Sequence, residues 1–460
     1  MAHHRLTPDR PRCASPHCGP NKPQVVVIAS ATTWRAPLNR CRMHGYGNDG
    51  ALRAFTVFRP FTLPSWRTCP PWAGLWPDAE RSTSELVDTT RRLRVLHVCQ
   101  PTVDGAPNVL LTLAQDQLRR DWQVHVAGPQ SSGYLIERAA QLGARTHPWE
   151  ATRSPSPTIR AELAALRTIL RETTPDVVHL HSSKAGLVGR LAVRGSIPTI
   201  FQPHAWSYEA VSGPMRHASI RWERLATRWT DLTLCVGRTE LETGARHGTL
   251  APRQVAIPNG VDTDRHRPRD RAQCRRELSV AAADKLVLCV GRLTRQKGQD
   301  VLLQAWPAIL REVPHARLVF LGEGPDRADL LALIDTLGIA GSVEFHPVQD
   351  PRSWFGAADV IAMPSRWEGM PLVLLEAMAS GRCVVAADVA GFQDAMGPGS
   401  HLVATADPDA LGQAITARLT DSGLAQREAE KWRRVAERDF TSETAANRVA
   451  ECTLALATGG

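Results

Sequence analysis

Residues 358–381 read ADVIAMPSRWEGMPLVLLEAMASG. The opening run, Asp359 to Pro364, is short, apolar and bounded by turn residues, the pattern of a strand buried on both faces. A polar turn follows and holds Glu368, Gly369, Met370 and Pro371; Pro371 suits a first helical turn, where a missing N–H costs nothing. The helix then carries Glu376 among Val373, Leu374, Leu375, Ala377 and Met378. A carboxylate in such surroundings costs several kcal/mol unless something binds it. Either a donor elsewhere in the chain satisfies Glu376 or a ligand does. The free amides of Gly369, Met370 and Leu372 face any anion in front of the helix.

Strand–turn–helix units of this kind recur on both sides of the quoted stretch. RVLHVC (94–99), WQVHVAG (122–128), DVVHLHS (176–182), PTIFQP (198–203) and LTLCVG (232–237) form one series of expected strands. KLVLCVG (285–291), ARLVFLG (316–322), SVEFHP (342–347), DVIAMP (359–364) and CVVAAD (383–388) form a second. Helical patterns such as NVLLTLAQDQLRR, IRAELAALRTILRE and DVLLQAWPAILREV separate them. Short β-branched runs alternating with helices imply βαβ units and parallel sheets, and two comparable series imply two Rossmann-like domains. We place the first at 93–265 and the second at 266–442, meeting in the charged, Pro-containing segment VDTDRHRPRDRAQCRREL (261–278). A last helix, about 443–457, is expected to pack back on the first domain.

The formal charge of +9 is unevenly spread. Residues 1–92 hold 13 Lys/Arg against 6 Asp/Glu and 11 of the 33 prolines, so the rest of the chain is nearly neutral. That segment shows neither a helical nor a strand period. It reads as a disordered or loosely packed extension, and its apolar piece VVVIASA is too short to span a bilayer. An over-extended start, with folding beginning near residue 92, is one reading of it. The ten cysteines form no CxxC pair, a usage that fits a reducing cytoplasm. Cys13 and Cys18 flank His17 at no standard metal-ligand spacing. A P-loop, a GxGxxG fingerprint and nucleic-acid motifs are absent from the sequence.

Ligands of open α/β sheets bind outside the carboxyl ends of the strands. Gly291, Arg292, Lys297 and Gly298 follow one such strand and Gly322-Glu323-Gly324 another. With the E-x7-E pair Glu368 and Glu376, IPNGVD (257–262), GRLTRQKG (291–298), LGEGP (321–325), HSSKAG (181–186) and QPHAW (202–206), the chain resembles the retaining family 4 glycosyltransferases of GT-B fold over roughly 93–455. The resemblance implies two Rossmann-like domains facing across a cleft and transfer of a sugar from a nucleotide diphosphate sugar, a UDP- or GDP-sugar, to a glycan, lipid-linked or small-molecule acceptor.

It also implies roles. Arg292 and Lys297 meet the diphosphate and replace a metal, so no metal and no cofactor are expected. Glu376 accepts ribose hydroxyls, Glu368 holds donor-sugar hydroxyls, and His204 lies beside the donor sugar. Gly291, Gly369, Met370, Pro371 and Leu372 line the nucleotide-sugar site, and Gly105 lets backbone approach the diphosphate. Three positions depart from the pattern: the first turn, VDGAP, is poor in Gly, Gly237 stands where Ser is common, and Asp394 replaces a usual Glu.

Three other readings compete. Asp262-Thr263-Asp264 is a DxD that a metal-dependent transferase would use, a sugar-nucleotide epimerase shares the architecture, and a non-catalytic sugar-nucleotide binder would keep the cleft alone. The basic, aromatic segment 215–231, expected as one helix with Arg216, Arg221, Arg224, Arg228, Trp222 and Trp229, is a candidate contact with an anionic membrane at its cytoplasmic face.

Overall fold

The computed structural model describes residues 45–46, 52–53, 92–152, 157–397 and 400–459. Readings of the remainder of residues 1–92 lie outside the described residues. Within 1–69, Gly45–Tyr46 pairs antiparallel with Leu52–Arg53. Residues 70–460 form a second compact unit, which carries both parallel sheets.

Its first half is a seven-stranded parallel sheet built from β1 (Arg94–Cys99), β2 (Gln123–Gly128), β3 (Arg145–Pro148), β4 (Val177–His181), β5 (Thr199–Gln202), β6 (Leu232–Cys235) and β7 (Arg253–Ala256). The order across the sheet is β3-β2-β1-β4-β5-β6-β7. The helices are α1 (Gly105–Arg119), α2 (Leu135–Leu142), α3 (Ile159–Thr173), α4 (Ser182–Val193), α5 (Gly213–Ala226) and α6 (Arg238–His247). Strand alternation sorts the faces. Leu96 and Val98 join Leu166, Ile169 and Val188 on the α3–α4 side, whereas Val95 and Cys99 meet Leu110, Leu111 and Ala114 of α1 on the other.

The second half begins with the short α7 (Arg271–Glu277) and repeats the plan with β8 (Lys285–Val290), α8 (Gln299–Glu312), β9 (Ala316–Leu321), α9 (Arg327–Leu337), β10 (Val343–His346), α10 (Arg352–Ala357), β11 (Val360–Met363), α11 (Leu372–Ala379), β12 (Cys383–Ala386) and α12 (Ala390–Met396). Its sheet order is β10-β9-β8-β11-β12, all parallel. Both sheets therefore reverse their winding beside their first strand, between β1 and β4 and between β8 and β11, where ligand crevices form in such sheets.

Three helices close the chain: α13 (Pro408–Thr420), α14 (Ser422–Asp439) and α15 (Ser442–Ala457). Ala450 and Leu454 of α15 pack into the α1 cluster of the first half. Among the described residues no helix is long and apolar enough to cross a membrane. β3 and β7 were not among the expected strands, and the segment expected as one helix over 215–231 is α5 followed by a 3-10 turn at Thr227–Trp229.

Candidate functional site

Left-handed or otherwise unusual backbone gathers at the carboxyl ends of the strands. Asp104 (φ 75°), Ser182 (φ 72°), His204 (φ 58°) and Ala205 (φ 129°) follow β1, β4 and β5, and Gly291 (φ 150°) follows β8. Non-glycine residues hold such angles at a cost of order 1–3 kcal/mol each, and they persist where the surroundings over-determine them. The Glu368-Gly369-Met370-Pro371 turn after β11 lies against His204 of this group. A Cβ on Gly369 would meet the His204 carbonyl oxygen at 3.2 Å, and one on Gly391 would sit 1.9 Å from the Gly369 carbonyl. Glycine at 369 and 391 is what lets the turn reach His204.

Both expected diphosphate cations are at the site, and each holds a carboxylate. Lys297 Nζ lies 2.6 Å from Glu368 Oε1, which also accepts from Ser365 Oγ at 2.8 Å. Arg292 Nε lies 2.8 Å from Asp104 Oδ2. The second pair joins the first turn of the first half to the β8 turn of the second, with the side chains 34% and 48% exposed. Sequence reasoning missed Asp104, and the DG dipeptide was its only signal. Gly105 has no steric need to be glycine: a Cβ there meets nothing within 4 Å, and the positive φ belongs to Asp104.

Glu376 lies on α11, whose other faces bury Leu374, Leu375, Ala377 and Met378. Its side chain is 19% exposed, and among the described residues its carboxylate accepts no hydrogen bond; His266 Nε2 is 4.0 Å away. Burial raises the Glu376 pKa to about 7, with Arg265 opposing the rise and Asp350 adding to it. The imidazole of His266 is itself held neutral, pushed down to about 4 chiefly by burial. No donor in the described chain hydrogen-bonds Glu376, and it keeps an opening toward solvent. Arg265 also lines a cavity of about 250 Å³ with Asp264, Arg267, Arg269 and Arg352.

The helix-start residues are fixed from outside their own half. Asn259, in the IPNGVD junction, donates from Nδ2 to the Met370 carbonyl at 2.7 Å. Met370 is buried, Pro371 is the N-cap in extended conformation, and Leu372 opens the helix. The strained His204-Ala205 step is held by Glu240 of α6, which accepts from Ala205 N and Val236 N, both at 2.7 Å. Burial pushes Glu240 up to about 8.

Two of the departures noted in the sequence touch each other. Asp394 accepts from Thr239 N and Thr239 Oγ1, each at 2.9 Å, and so caps α6, whose own N-cap Gly237 offers no side chain. A Cβ on Gly237 would lie 2.2 Å from Asp394 Oδ2. The missing side chain makes room for the carboxylate.

His204 Nε2 lies 3.1 Å from His181 Nδ1, and burial keeps the ring neutral, pushed down to about 3. Asp262 of the DxD accepts from Arg265 N at 2.9 Å, a local turn contact. Trp222 of α5 and Trp229 of the 3-10 turn after it pack near one another and Arg190 lies over Trp222, while Met215, Arg221 and Leu225 of α5 and Arg228 of the turn are exposed.

This geometry can be set beside known proteins. The family described as "Glycosyl transferases group 1" matches residues 284–421, and "Glycosyltransferase Family 4" matches residues 103–265. A D-inositol 3-phosphate glycosyltransferase of Xylanimonas cellulosilytica is 32% identical over 294 residues, 59% of this chain and 70% of that protein. The chain belongs to the family 4 glycosyltransferases. A GDP-mannose-dependent alpha-(1-6)-phosphatidylinositol monomannoside mannosyltransferase of Mycolicibacterium smegmatis is 35% identical over 178 residues, 36% of this chain and 47% of that one. Alignments span between 36% and 70% of the length of the first curated relatives. HepE of Anabaena, solved in complex with UDP-glucose, superposes with a TM-score of 0.69 at 22% identity, over 78% of this chain and 99% of that one. Like other family 4 glycosyltransferases, the chain has the GT-B fold.

Proposed function

We propose that this chain moves a sugar, with retention of anomeric configuration and without a metal, from a nucleotide diphosphate sugar to an acceptor hydroxyl. The observation that carries the reading is convergence. Arg292, Lys297, Glu368 and the Gly369 turn of one half meet Asp104 and His204 of the other at the carboxyl ends of β8, β11, β1 and β5. The likeness to HepE, solved with UDP-glucose, supports a nucleotide-sugar donor, and the mannosyltransferase relative supports a hexosyl group.

In this reading the incoming diphosphate takes over both cations. Arg292 exchanges Asp104 for a phosphate oxygen, and Lys297 turns from Glu368 toward the leaving group. Glu368, released, accepts a donor-sugar hydroxyl, and Glu376 accepts ribose hydroxyls. As the bond from the anomeric carbon to the phosphate oxygen breaks, charge grows on the diphosphate, where two cations and the α11 amides stabilise it. The acceptor oxygen bonds to the anomeric carbon on the face being vacated, and its proton passes to the departing phosphate oxygen. His204, neutral, hydrogen-bonds the sugar and carries no proton away.

The acceptor class is a glycan, a lipid-linked sugar or a phosphorylated polyol. The D-inositol 3-phosphate relative supports the last of these. The exposed Met215, Arg221, Leu225 and Arg228 of the α5 segment support contact with an anionic membrane. The free cysteines of the described residues support a cytoplasmic setting.

The test offers UDP- and GDP-sugars with D-inositol 3-phosphate, phosphatidylinositol and oligosaccharides, and follows nucleotide release and the anomeric proton coupling of the product. Free nucleotide with a glycosylated, configuration-retained product is expected. An isomerised donor without transfer would make the chain an epimerase, and tight donor binding with no turnover on any acceptor would make it a binding protein.

A further inference from the structure

The first sheet buries a row of histidines that the proposed chemistry does not use. His97 on β1 and His179 and His181 on β4 are paired across the parallel ladder, His97 with His179, and alternation sends all three to the α1 face. Their contacts form a line. Gln117 Oε1 of α1 lies 2.8 Å from His97 Nε2, His97 Nδ1 lies 3.0 Å from His181 Nε2, and His181 Nδ1 lies 3.1 Å from His204 Nε2. The line starts at a fully covered glutamine and ends at the residue placed beside the donor sugar. His179 lies outside it, stacked on His181 with ring centroids 4.1 Å apart and bonded to Gln202 through Nε2 at 3.1 Å.

Burial keeps every ring in the line neutral, so each carries one N–H. A neutral imidazole donates from one nitrogen and accepts at the other, so fixing one end of the line orients all of it. As oriented in the structure, Gln117 meets His97 with its Oε1, which only accepts, and its own buried Nε2 has no partner among the described residues. His97 therefore carries its hydrogen on Nε2 and accepts at Nδ1 from His181 Nε2–H. His181 in turn accepts at Nδ1 from His204 Nε2–H. This leaves the Nδ1 of His204, which has no partner among the described residues, as a bare lone pair. The nitrogens of His97, His179 and His181 also lie within 4.8 Å of one another, close enough for a metal. Both nitrogens of His97 and of His181 are already spent on the hydrogen-bond line.

We infer that Gln117, His97 and His181 are positioning residues: a buried hydrogen-bond line that fixes the tautomer of His204, presenting Nδ1 to the donor sugar as an acceptor only. A sugar hydroxyl is recognised there as a donor. The inference rests on the proposed transfer for its consequence in turnover, and its structural half stands independently of that reading.

The experiment is long-range ¹H–¹⁵N correlation of the histidine rings in the full chain, with His204 assigned through His204→Gln, alongside steady-state kinetics. Wild type is expected to show His204 as the Nε2–H form alone. Gln117→Met and His97→Phe each break the line far from the cleft. Both should give a mixture of His204 tautomers and lower kcat by about threefold to tenfold, the worth of one hydrogen bond, with donor KM unchanged. Should His97→Phe fail to fold, Gln117→Met decides alone. A His204 that is Nδ1–H in wild type, or a single unchanged tautomer in Gln117→Met, overturns the inference. A fixed tautomer in a chain that binds no nucleotide sugar leaves the line standing and overturns the transferase reading instead.

Discussion

Nucleotide affinity should rise with pH through neutrality, and Glu376 should be the cause. Its carboxyl is held up at about 7 because burial disfavours the charge. A ribose hydroxyl donates to a carboxylate better than to a protonated acid, so binding draws on the ionised form. At about pH 6 roughly one Glu376 in ten is ionised, so the dissociation constant for UDP or GDP should be about tenfold weaker there than at about pH 8. The rise from the ordinary 4.5 to about 7 corresponds to about 3 kcal/mol against the charged form in the folded, empty chain.

That cost has a definite sign in stability. The folded chain holds this proton more tightly than the unfolded one. The Glu376 contribution is therefore fully present below about pH 4.5 and is lost as pH rises through about 7. Calorimetric titration at about pH 5.5, 6.5, 7.5 and 8.5, with urea melts at each, reads both effects. Glu376→Gln should flatten the pH dependence of affinity and remove the fall in stability between about pH 4.5 and 7. Wild-type affinity that stays constant across the range, or a Gln variant that keeps the slope, would refute the reasoning.

Other substitutions test the neighbouring contacts. Asp104→Asn removes the partner that the diphosphate must displace from Arg292. A half-exposed pair of this kind is worth about 0.2–1 kcal/mol, so UDP should bind up to about fivefold tighter by calorimetry, and weaker binding would speak against displacement. Lys297→Met leaves the Glu368 carboxylate, only 7% exposed, with Ser365 alone. Chemical melts should show a loss of about 1–3 kcal/mol that UDP does not restore. Glu240→Gln replaces one of the two acceptor oxygens, of which one holds Ala205 N and the other Val236 N. It should slow turnover and lower stability by about 1–3 kcal/mol, whereas an unchanged kcat would show that the step is held otherwise.

The alternation of apolar runs and helical periods made both parallel sheets readable, because interior strands must bury both faces. β3 and β7 escaped for the complementary reason. They are edge strands, RTHP and RQVA, mostly exposed or half-buried and too polar to announce themselves. At the site, Arg292 and Lys297 were legible as cations following a strand and Glu376 as a carboxylate inside an apolar helix, whereas the parts given to Glu368 and His204 came from the family resemblance. Their partners were not legible. Asp104, Glu240 and the His97–His181 line depend on strand register and on contacts between residues 84 or more positions apart, or on a helix whose carboxylate looks like an ordinary surface Glu. The lone Asp394 and Gly237 read as separate departures until the packing showed that one makes room for the other.

In the proposed function, protein cations and helix amides, without a metal, neutralise a nucleotide diphosphate between the two halves. Calorimetric titration of UDP and GDP in excess EDTA tests this most directly, on wild type and on the Arg292→Ala, Lys297→Met double variant. Wild-type affinity should be the same with and without EDTA, and the double variant should lose at least about 100-fold. Wild-type binding that disappears in EDTA, or a double variant that binds as tightly as wild type, would contradict the proposal.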